Sequence, residues 1–221
     1  MAGLLRTKVE LFYDVISPYS WFSFETLCRY RQFWNMDLSF RPVLLGGLFK
    51  LSGNKSPFSI PAKELHLKKD WHRNGVYFQV PLNVIEDPFH ILAKKGSLRA
   101  QRLITAVQFN HPSYVEEVSR QLWLRTWSEG KDITEYDSLW EAAQNAKMDG
   151  ATIDKCIRLI DDPKTKKGLE DSTAEAFTHG AFGAPTIVVH LQSGPEMFFG
   201  ADRFPVMAMV MNEKWKGPQP N

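Results

Sequence analysis

Cysteine is scarce in this chain of 221 residues, and the two that occur, Cys28 and Cys156, are far apart. Two cysteines that form no Cys-x-x-Cys pair exclude a disulfide framework. Each cysteine lies at helical spacing from apolar residues near it in the sequence. Free cysteine is also among the most buried residue types. We therefore interpret both as small core residues; a reactive thiol is the alternative.

An excess of charge and a long apolar run are also missing. Lys plus Arg number 27 and Asp plus Glu 25, so the total charge gives no reason to expect a nucleic acid or an anionic membrane as partner. No apolar run approaches the roughly 18 residues that span a bilayer, and the segment after Met1 does not resemble a secretory signal. The sequence thus predicts a soluble, intracellular globular protein with a small-molecule partner.

Metal-ligand patterns are missing too. The six histidines are scattered, and Glu86 with His90, which have helical spacing, are interrupted by Pro88. Because a metal site needs convergent ligands, no metal site is predicted.

What the chain does contain is a strand that leads directly into a capped helix near its start. Residues 9–15 have strand character, and Ser17 and Pro18 suit the N-cap and the first position of a helix. Backbone N–H groups and the helix dipole would stabilise an anion, such as a carboxylate or thiolate, beside Ser17. A purely structural cap remains the alternative for Ser17, since caps are common.

Hydrophobic periodicity and turn residues predict the element order βαβ, many helices, ββα. The predicted elements are a strand at 7–14, a helix at 18–34, a strand at 36–42, a long loop from Gly46 to Pro61, a helical block at 61–179, a hairpin within 186–199, and a last helix that follows 200–203 and ends near Glu213.

This order, with Ala184-Pro185 just before the third strand, resembles the thioredoxin fold with a helical domain inserted between its halves. The predicted fold class is α/β, a thioredoxin-like βαβ…ββα domain (residues 1–63 and 180–221) interrupted by an all-helical domain (residues 64–179). The resemblance implies a cis bond before Pro185. It also implies that the backbone of Ala184 is exposed to pair with an extended, peptide-like ligand.

A combination of motifs resembles the kappa-class glutathione transferases over essentially the full chain. Ser17-Pro18-Tyr19-Ser20 stands where the thioredoxin fold usually has Cys-x-x-Cys, which excludes dithiol chemistry. The motifs are Phe12-Tyr13-Asp14-Val15 through Trp21, Ser52-Gly53-Asn54-Lys55, Lys63, Gly180-Ala181-Phe182-Gly183 before Pro185, and Phe199-Gly200 with Asp202-Arg203.

The resemblance implies a homodimeric enzyme that uses glutathione as co-substrate and needs no other cofactor. Ser17 would be catalytic, stabilising the glutathione thiolate for attack on a small electrophile or a peroxide oxygen. The family occurs in mitochondria and peroxisomes, and because the C-terminal Gln219-Pro220-Asn221 is not a peroxisomal address, mitochondria are expected. The glutathione-binding residues implied are Ser17, Pro18, Tyr19, Asn54, Lys63, Ala184, Pro185, Ala201, Asp202 and Arg203, with Asp202 acting in its own or the neighbouring subunit.

The chain departs from the family pattern at two of these positions. Ala184 stands where a larger aliphatic residue is usual, which matters little if its backbone binds the ligand. Ala201 replaces a serine, so one hydrogen bond to the γ-glutamyl carboxylate is expected to be missing.

Two other functions remain open. A glutathione-dependent isomerase of the 2-hydroxychromene-2-carboxylate type also resembles this chain and has a serine at the same helix start. A non-catalytic thioredoxin-fold binding or assembly protein would have lost redox chemistry with its cysteines, and it predicts no glutathione binding.

Overall fold

A mixed β-sheet forms the centre of the molecule in the computed structural model, which describes residues 6–83 and 96–220. The predicted features at Glu86, Pro88 and His90 lie outside these residues. The sheet has the strand order β2-β1-β3-β4; β1 is parallel to β2 and antiparallel to β3. The strands are β1 (Thr7–Tyr13), β2 (Met36–Pro42), β3 (Thr186–Leu191) and β4 (Gly194–Phe199).

The helices follow the predicted order, with a helical block between the two halves of the sheet. The π-helical turn Leu124–Ser128 follows α5 directly. The helices are α1 (Pro18–Tyr30), α2 (Leu45–Ser52), α3 (Pro61–Phe78), α4 (Leu98–Asn110), α5 (Val115–Trp123), α6 (Tyr136–Asn145), α7 (Gly150–Leu159), α8 (Pro163–Thr178) and α9 (Phe204–Val210). The predicted βαβ and ββα units are confirmed.

Strand β1 is covered on both faces, and its residues 9–13 are all buried. Side chains alternate along a strand; Tyr13 therefore lies on the face covered by α5, where its hydroxyl shares a hydrogen bond of 2.7 Å with Ser119. Phe12 lies on the opposite face, in a smaller core with Leu48 of α2 and Ala176 of α8. The end of β1, where the Ser17 turn begins, is thus held from both sides.

The prediction of one long loop from Gly46 to Pro61 was wrong, because residues 45–52 form α2. Glycine pairs usually indicate loops. Here Gly47 lies against α8, where a Cβ atom would come within 3.1 Å of the Thr173 methyl carbon. The glycine therefore serves close helix packing, which the local sequence does not reveal. Gly53, with φ of 73°, then ends the helix in the left-handed conformation.

The ends of α1 and α9 differ from the predictions because the C-terminal segment packs against α1. Helix α1 ends at Tyr30, not at residue 34, and α9 ends at Val210, not near Glu213. The Tyr30 ring stacks on Trp215 at 5.0 Å, and its hydroxyl donates to the Gly217 carbonyl at 2.7 Å. Both helices therefore end before the positions predicted from the sequence, and the segment after α9 packs against α1.

The proposed domain boundary between residues 63 and 64 falls within the first turn of α3. The division into two domains stays a prediction. In the described part of the chain, no helix combines the length and the apolar character needed to cross a bilayer.

Candidate functional site

The Ser17 turn has the capped geometry that the sequence predicts. Ser17 is the N-cap of α1, with φ of −99° and ψ of 117°, and Pro18 occupies the first helical position. The Ser17 hydroxyl oxygen accepts a hydrogen bond from the backbone N–H of Ser20 at 3.2 Å. The Ser17 side chain has a single hydrogen to donate, that of its O–H.

Two buried tryptophans from the helical block hold this turn from the other side. Trp123 donates its indole N–H to the Ser17 carbonyl at 3.2 Å, and Trp127 donates to the Val15 carbonyl at 3.3 Å. Both rings are fully buried. Helical periodicity in a sequence can indicate that such residues lie in the core, but it cannot show where a distant N–H group is donated.

The peptide bond between Ala184 and Pro185 is cis, as the resemblance implied. The Pro185 carbonyl accepts a hydrogen bond from the N–H of Gly200, which ties this bend to the end of β4. The Ala184 carbonyl accepts the Ser17 hydroxyl hydrogen at 3.2 Å. Two segments that are 167 residues apart in sequence thus meet at the start of α1.

A cavity of about 840 Å³ opens at this meeting point. Arg203 is not among the lining residues; it precedes α9 and lies beside Asp202. The structure therefore gathers all the other predicted site residues around one space. The predicted residues on its wall are Ser17, Pro18, Tyr19, Asn54, Lys63, Ala184, Pro185, Ala201 and Asp202.

Asn54 links two walls of the cavity. Its side-chain amide donates to the Phe182 carbonyl at 2.8 Å, and its side-chain oxygen accepts the Lys55 N–H at 2.8 Å. These bonds hold the segment after α2 against the bend before Pro185. Lys63, by contrast, is exposed in the first turn of α3, where its ammonium group is accessible to an anion.

Ala201 and Asp202 lie in the segment that leads into the last helix, as the sequence predicts, because α9 begins at Phe204. Ala201 is 5% exposed, whereas the Asp202 side chain is 72% exposed. Asp202 is therefore the accessible carboxylate at this end of the cavity.

One face of α3 adds residues that the sequence analysis did not identify. Asp70 accepts the Tyr19 hydroxyl hydrogen at 2.6 Å and the side-chain amide of Asn74 at 3.0 Å. Burial, with the Asp70 carboxylate, raises the pKa of Tyr19 well above its usual range, so the phenol stays neutral. Lys63, Asp70 and Asn74 recur at helical spacing along this face; that spacing was the signal that could have found Asp70.

Asp14 is a second missed residue. It lines the cavity, and its side chain is 0% exposed. Its carboxylate accepts the backbone N–H of Ile16 at 3.0 Å, the N–H of Leu45 at 2.8 Å and the hydroxyl hydrogen of Ser97 at 2.9 Å. Burial raises the pKa of Asp14 to about 6, against the lowering effect of these donors. A carboxylate at the end of an apolar strand was the available sequence signal.

Neither cysteine lines the cavity. Cys156 is fully buried, and Cys28 is partly buried and packed against the core. Burial raises the pKa of both thiols. Both features support the interpretation of the two cysteines as packing residues.

Among the described residues, one group could offer metal ligands, and it lies away from the cavity lining. Ligand atoms of Glu10, Glu175 and His179 lie within 4.8 Å of one another. The Arg41 guanidinium pairs with both carboxylates, at 3.0 Å from Glu10 and in close contact with Glu175. His190 also bonds to Glu10, at 2.6 Å. Arg41 and Lys8, whose ammonium group lies 3.0 Å from Glu10, supply positive charge here, so the group is a partly buried ion network.

Comparison with known proteins agrees with this geometry. Residues 8–212 match the DsbA-like thioredoxin domain family. The chain is 43% identical to glutathione S-transferase kappa 1 of Homo sapiens over 218 residues. This alignment covers 99% of this chain and 96% of the human protein. The chain belongs to the kappa-class glutathione S-transferases. It is also 43% identical to glutathione S-transferase kappa 1 of Rattus norvegicus over 212 residues, covering 96% of this chain and 94% of the rat protein.

Kappa-class membership confirms the family resemblance, and the thioredoxin-like α/β fold is confirmed as well. Among solved structures, a 2-hydroxychromene-2-carboxylate isomerase is similar with a TM-score of 0.72, covering 93% of this chain and 94% of the isomerase. At 20% sequence identity, this likeness shows a shared fold.

Proposed function

We propose that this chain binds glutathione in the cavity and transfers it to small electrophiles. The observation that carries the proposal is the meeting of Ser17, the N-terminus of α1 and the cis Ala184-Pro185 bend on one cavity wall. The 43% identity to two proteins named glutathione S-transferase kappa 1 supports the choice of ligand. Glutathione serves as co-substrate, and the proposed reaction needs no other cofactor.

The proposed chemistry is stabilisation of a thiolate. A free thiol has a pKa of roughly 8.5, and only the thiolate is a good nucleophile. Ser17 is too weak a base to take the proton; the proton therefore leaves to solvent, while Ser17 donates its O–H to the sulfur. A charge-assisted hydrogen bond together with the helix N-terminus supplies the roughly 2 to 3 kcal/mol that lowers the thiol pKa by about 1.5 to 2 units. The thiolate then attacks an electrophilic carbon or, in peroxide reduction, a peroxide oxygen.

The remaining parts of glutathione are assigned by charge. Lys63, exposed on α3, faces a carboxylate of the tripeptide in this proposal. Asp202, exposed in the segment before α9, pairs with the γ-glutamyl ammonium. Pairing of opposite charges at these two residues gives the tripeptide one orientation, with its thiol beside Ser17. Tyr19, neutral and held by Asp70, contributes a polar part of the cavity wall.

The test combines calorimetric titration of glutathione with an assay of glutathione transfer to a chromogenic aryl halide. We expect binding and transfer in the native protein. Ser17→Ala should bind glutathione but lower turnover at neutral pH roughly ten- to a hundredfold, because a bond of about 1.4 to 2.7 kcal/mol to the thiolate is lost. Ser193→Ala, an exposed serine in the β3–β4 turn, is the matched control and should behave as the native protein.

The same assays separate the other hypotheses. Glutathione binding with isomerisation of a 2-hydroxychromene-2-carboxylate, but without transfer, would favour the isomerase. Absence of glutathione binding would favour the non-catalytic protein and contradict the proposal.

We also propose a homodimer and a mitochondrial location, both on the family resemblance. Sedimentation equilibrium tests the dimer, and a purely monomeric protein at micromolar concentration would contradict it. Cell fractionation with mitochondrial and peroxisomal markers tests the location.

A further inference from the structure

The Ser17 hydroxyl is fully engaged within the protein. A serine hydroxyl has one hydrogen to donate. Because a carbonyl oxygen can only accept, the bond of 3.2 Å between Ser17 Oγ and the Ala184 oxygen uses that hydrogen. The oxygen of the same hydroxyl accepts the Ser20 N–H. Ser17 therefore cannot donate to a thiolate until it releases the Ala184 carbonyl.

The backbone of Ala184 is incompletely paired on the cavity wall. Its N–H group has no hydrogen-bond partner among residues 6–83 and 96–220, since the β3 ladder begins at Thr186. Its carbonyl is paired with Ser17. Ala184 is 9% exposed and lines the cavity. An extended peptide can add to such a segment by backbone hydrogen bonds.

We propose that Ala184 holds the Ser17 hydroxyl in an inactive orientation, and that an amide N–H of the bound thiol exchanges with it. The incoming N–H donates to the Ala184 carbonyl, and the released Ser17 O–H turns to the sulfur. The thiol proton leaves to solvent, and Ser17 keeps its own proton. The inference rests on the proposed function, and it adds that the enzyme activates only thiols that bring this N–H group.

Covalent geometry makes the cysteinyl N–H of glutathione the group that fits. In a cysteinyl residue the sulfur and the amide nitrogen are three bonds apart and lie close together in the two gauche rotamers of χ1. A sulfur within hydrogen-bond reach of Ser17 Oγ therefore brings its own amide near the Ala184 oxygen, 3.2 Å from that Oγ.

The exchange also predicts that a simple thiol is not activated. If Ser17 turned to a thiolate that lacked an N–H, the Ala184 carbonyl would lose its partner on a nearly buried wall, which is unfavourable. A thiol with the amide replaces that partner. The hydrogen bond between Ser17 and Ala184 thus couples recognition of the peptide backbone to activation of the sulfur.

The first test compares glutathione with an analogue in which an ester replaces the γ-glutamyl–cysteinyl amide, so that only this N–H is removed. Thiolate absorbance is titrated against pH at saturating ligand, with S-methylglutathione as the blank. For glutathione we expect the thiol pKa to fall by about 1 to 2 units on binding. For the ester the fall should be smaller by about 1 unit, because only the helix N-terminus still stabilises its thiolate. In Ser17→Ala, glutathione should show the same reduced fall as the ester.

An ester analogue whose bound thiol pKa falls as far as that of glutathione would overturn the exchange and leave the proposed function intact. Glutathione that binds without any fall in its thiol pKa would instead overturn the proposed activation itself.

A second test does not depend on binding of the ester. S-methylglutathione has the amide N–H but forms no thiolate, so in the native protein it must displace the Ser17 hydroxyl without gaining the charged bond. Ser17→Ala should therefore bind S-methylglutathione about three- to tenfold more tightly than the native protein, because its Ala184 carbonyl is already free. Ser193→Ala should bind as the native protein does. Equal or weaker binding by Ser17→Ala would contradict the exchange.

Discussion

Asp14 is a single buried carboxylate that connects three segments of the cavity wall. It joins the Ser17 turn, the start of α2 and the segment before α4 through three hydrogen bonds. These three segments form adjacent parts of the cavity wall. The position of Ser17 is therefore coupled to a group that does not itself need to contact glutathione.

The raised pKa of Asp14 predicts a pH dependence of stability. Its folded-state pKa, about 6, lies above the ordinary value of 3.8. The contribution of the protonated group is thus complete below about pH 4 and is lost as pH rises through about 6, a change of about 3 kcal/mol. The unfolding free energy of the native protein, minus that of Asp14→Asn, should fall by this amount between about pH 4 and pH 7 in denaturant titrations.

Ser97→Ala provides a matched control for this prediction. It removes one donor from the ionised carboxylate, so the pKa of Asp14 should rise and the inflection should move to higher pH. A stability difference between native protein and Asp14→Asn that does not change with pH would contradict the assignment.

Ala201 offers a test of the opposite kind, a gain of affinity. Ala201→Ser restores the residue usual in the family, and an added hydrogen bond of about 1 to 2 kcal/mol should tighten glutathione binding roughly five- to thirtyfold in calorimetric titration. Because Ala201 is 5% exposed, the new hydroxyl must face the cavity to have this effect. Unchanged or weaker affinity would show that the side chain faces the protein core.

At the scale of elements, the helical block holds the catalytic turn through indole N–H groups. Trp123→Phe keeps a ring but removes the donor to the Ser17 carbonyl. We expect a loss of about 1.5 to 3 kcal/mol of stability in denaturant unfolding. The pKa of the thiol of bound glutathione should rise as well, because the N-cap of α1 is less firmly held.

Trp21→Phe is the matched control for Trp123→Phe. Trp21 is 1% exposed and stacks on Trp123, but its N–H donates to Glu25 and not to the Ser17 turn. This variant should lose stability without a change in the thiol pKa. Equal pKa changes in the two variants would assign the effect to packing alone.

At the scale of the whole molecule, the C-terminal segment joins the two ends of the described chain. Trp215 stacks on Tyr30 of α1 and on Phe204 of α9. Trp215→Ala should lower the unfolding free energy by about 2 to 4 kcal/mol, with an unchanged denaturant slope. Met209→Ala, at a side chain that is 71% exposed, should change it by less than about 0.5 kcal/mol. Similar losses in both variants would contradict this role.

Local signals in the sequence predicted much of the fold and of the site. The Ser17 cap, the bend at Pro185 and the βαβ and ββα units each depend on residues close together in the chain or on the family pattern. Gly47 misled the interpretation, because its role is contact with α8. Asp70 and Trp123 were missed as site residues because their partners, Tyr19 and Ser17, are distant in sequence. Local periodicity gives a residue's burial but not its long-range partner.

The strand order has a consequence for folding during synthesis on the ribosome. β1 is synthesised shortly before its parallel partner β2, at Met36–Pro42. Its other neighbour, β3, is Thr186–Leu191, so that edge of β1 stays without its native partner while the intervening helices emerge. Such late pairing slows folding and leaves a strand edge exposed. A nascent chain halted before residue 186 should therefore be a strong client of chaperones, and extension past Phe199 should release it.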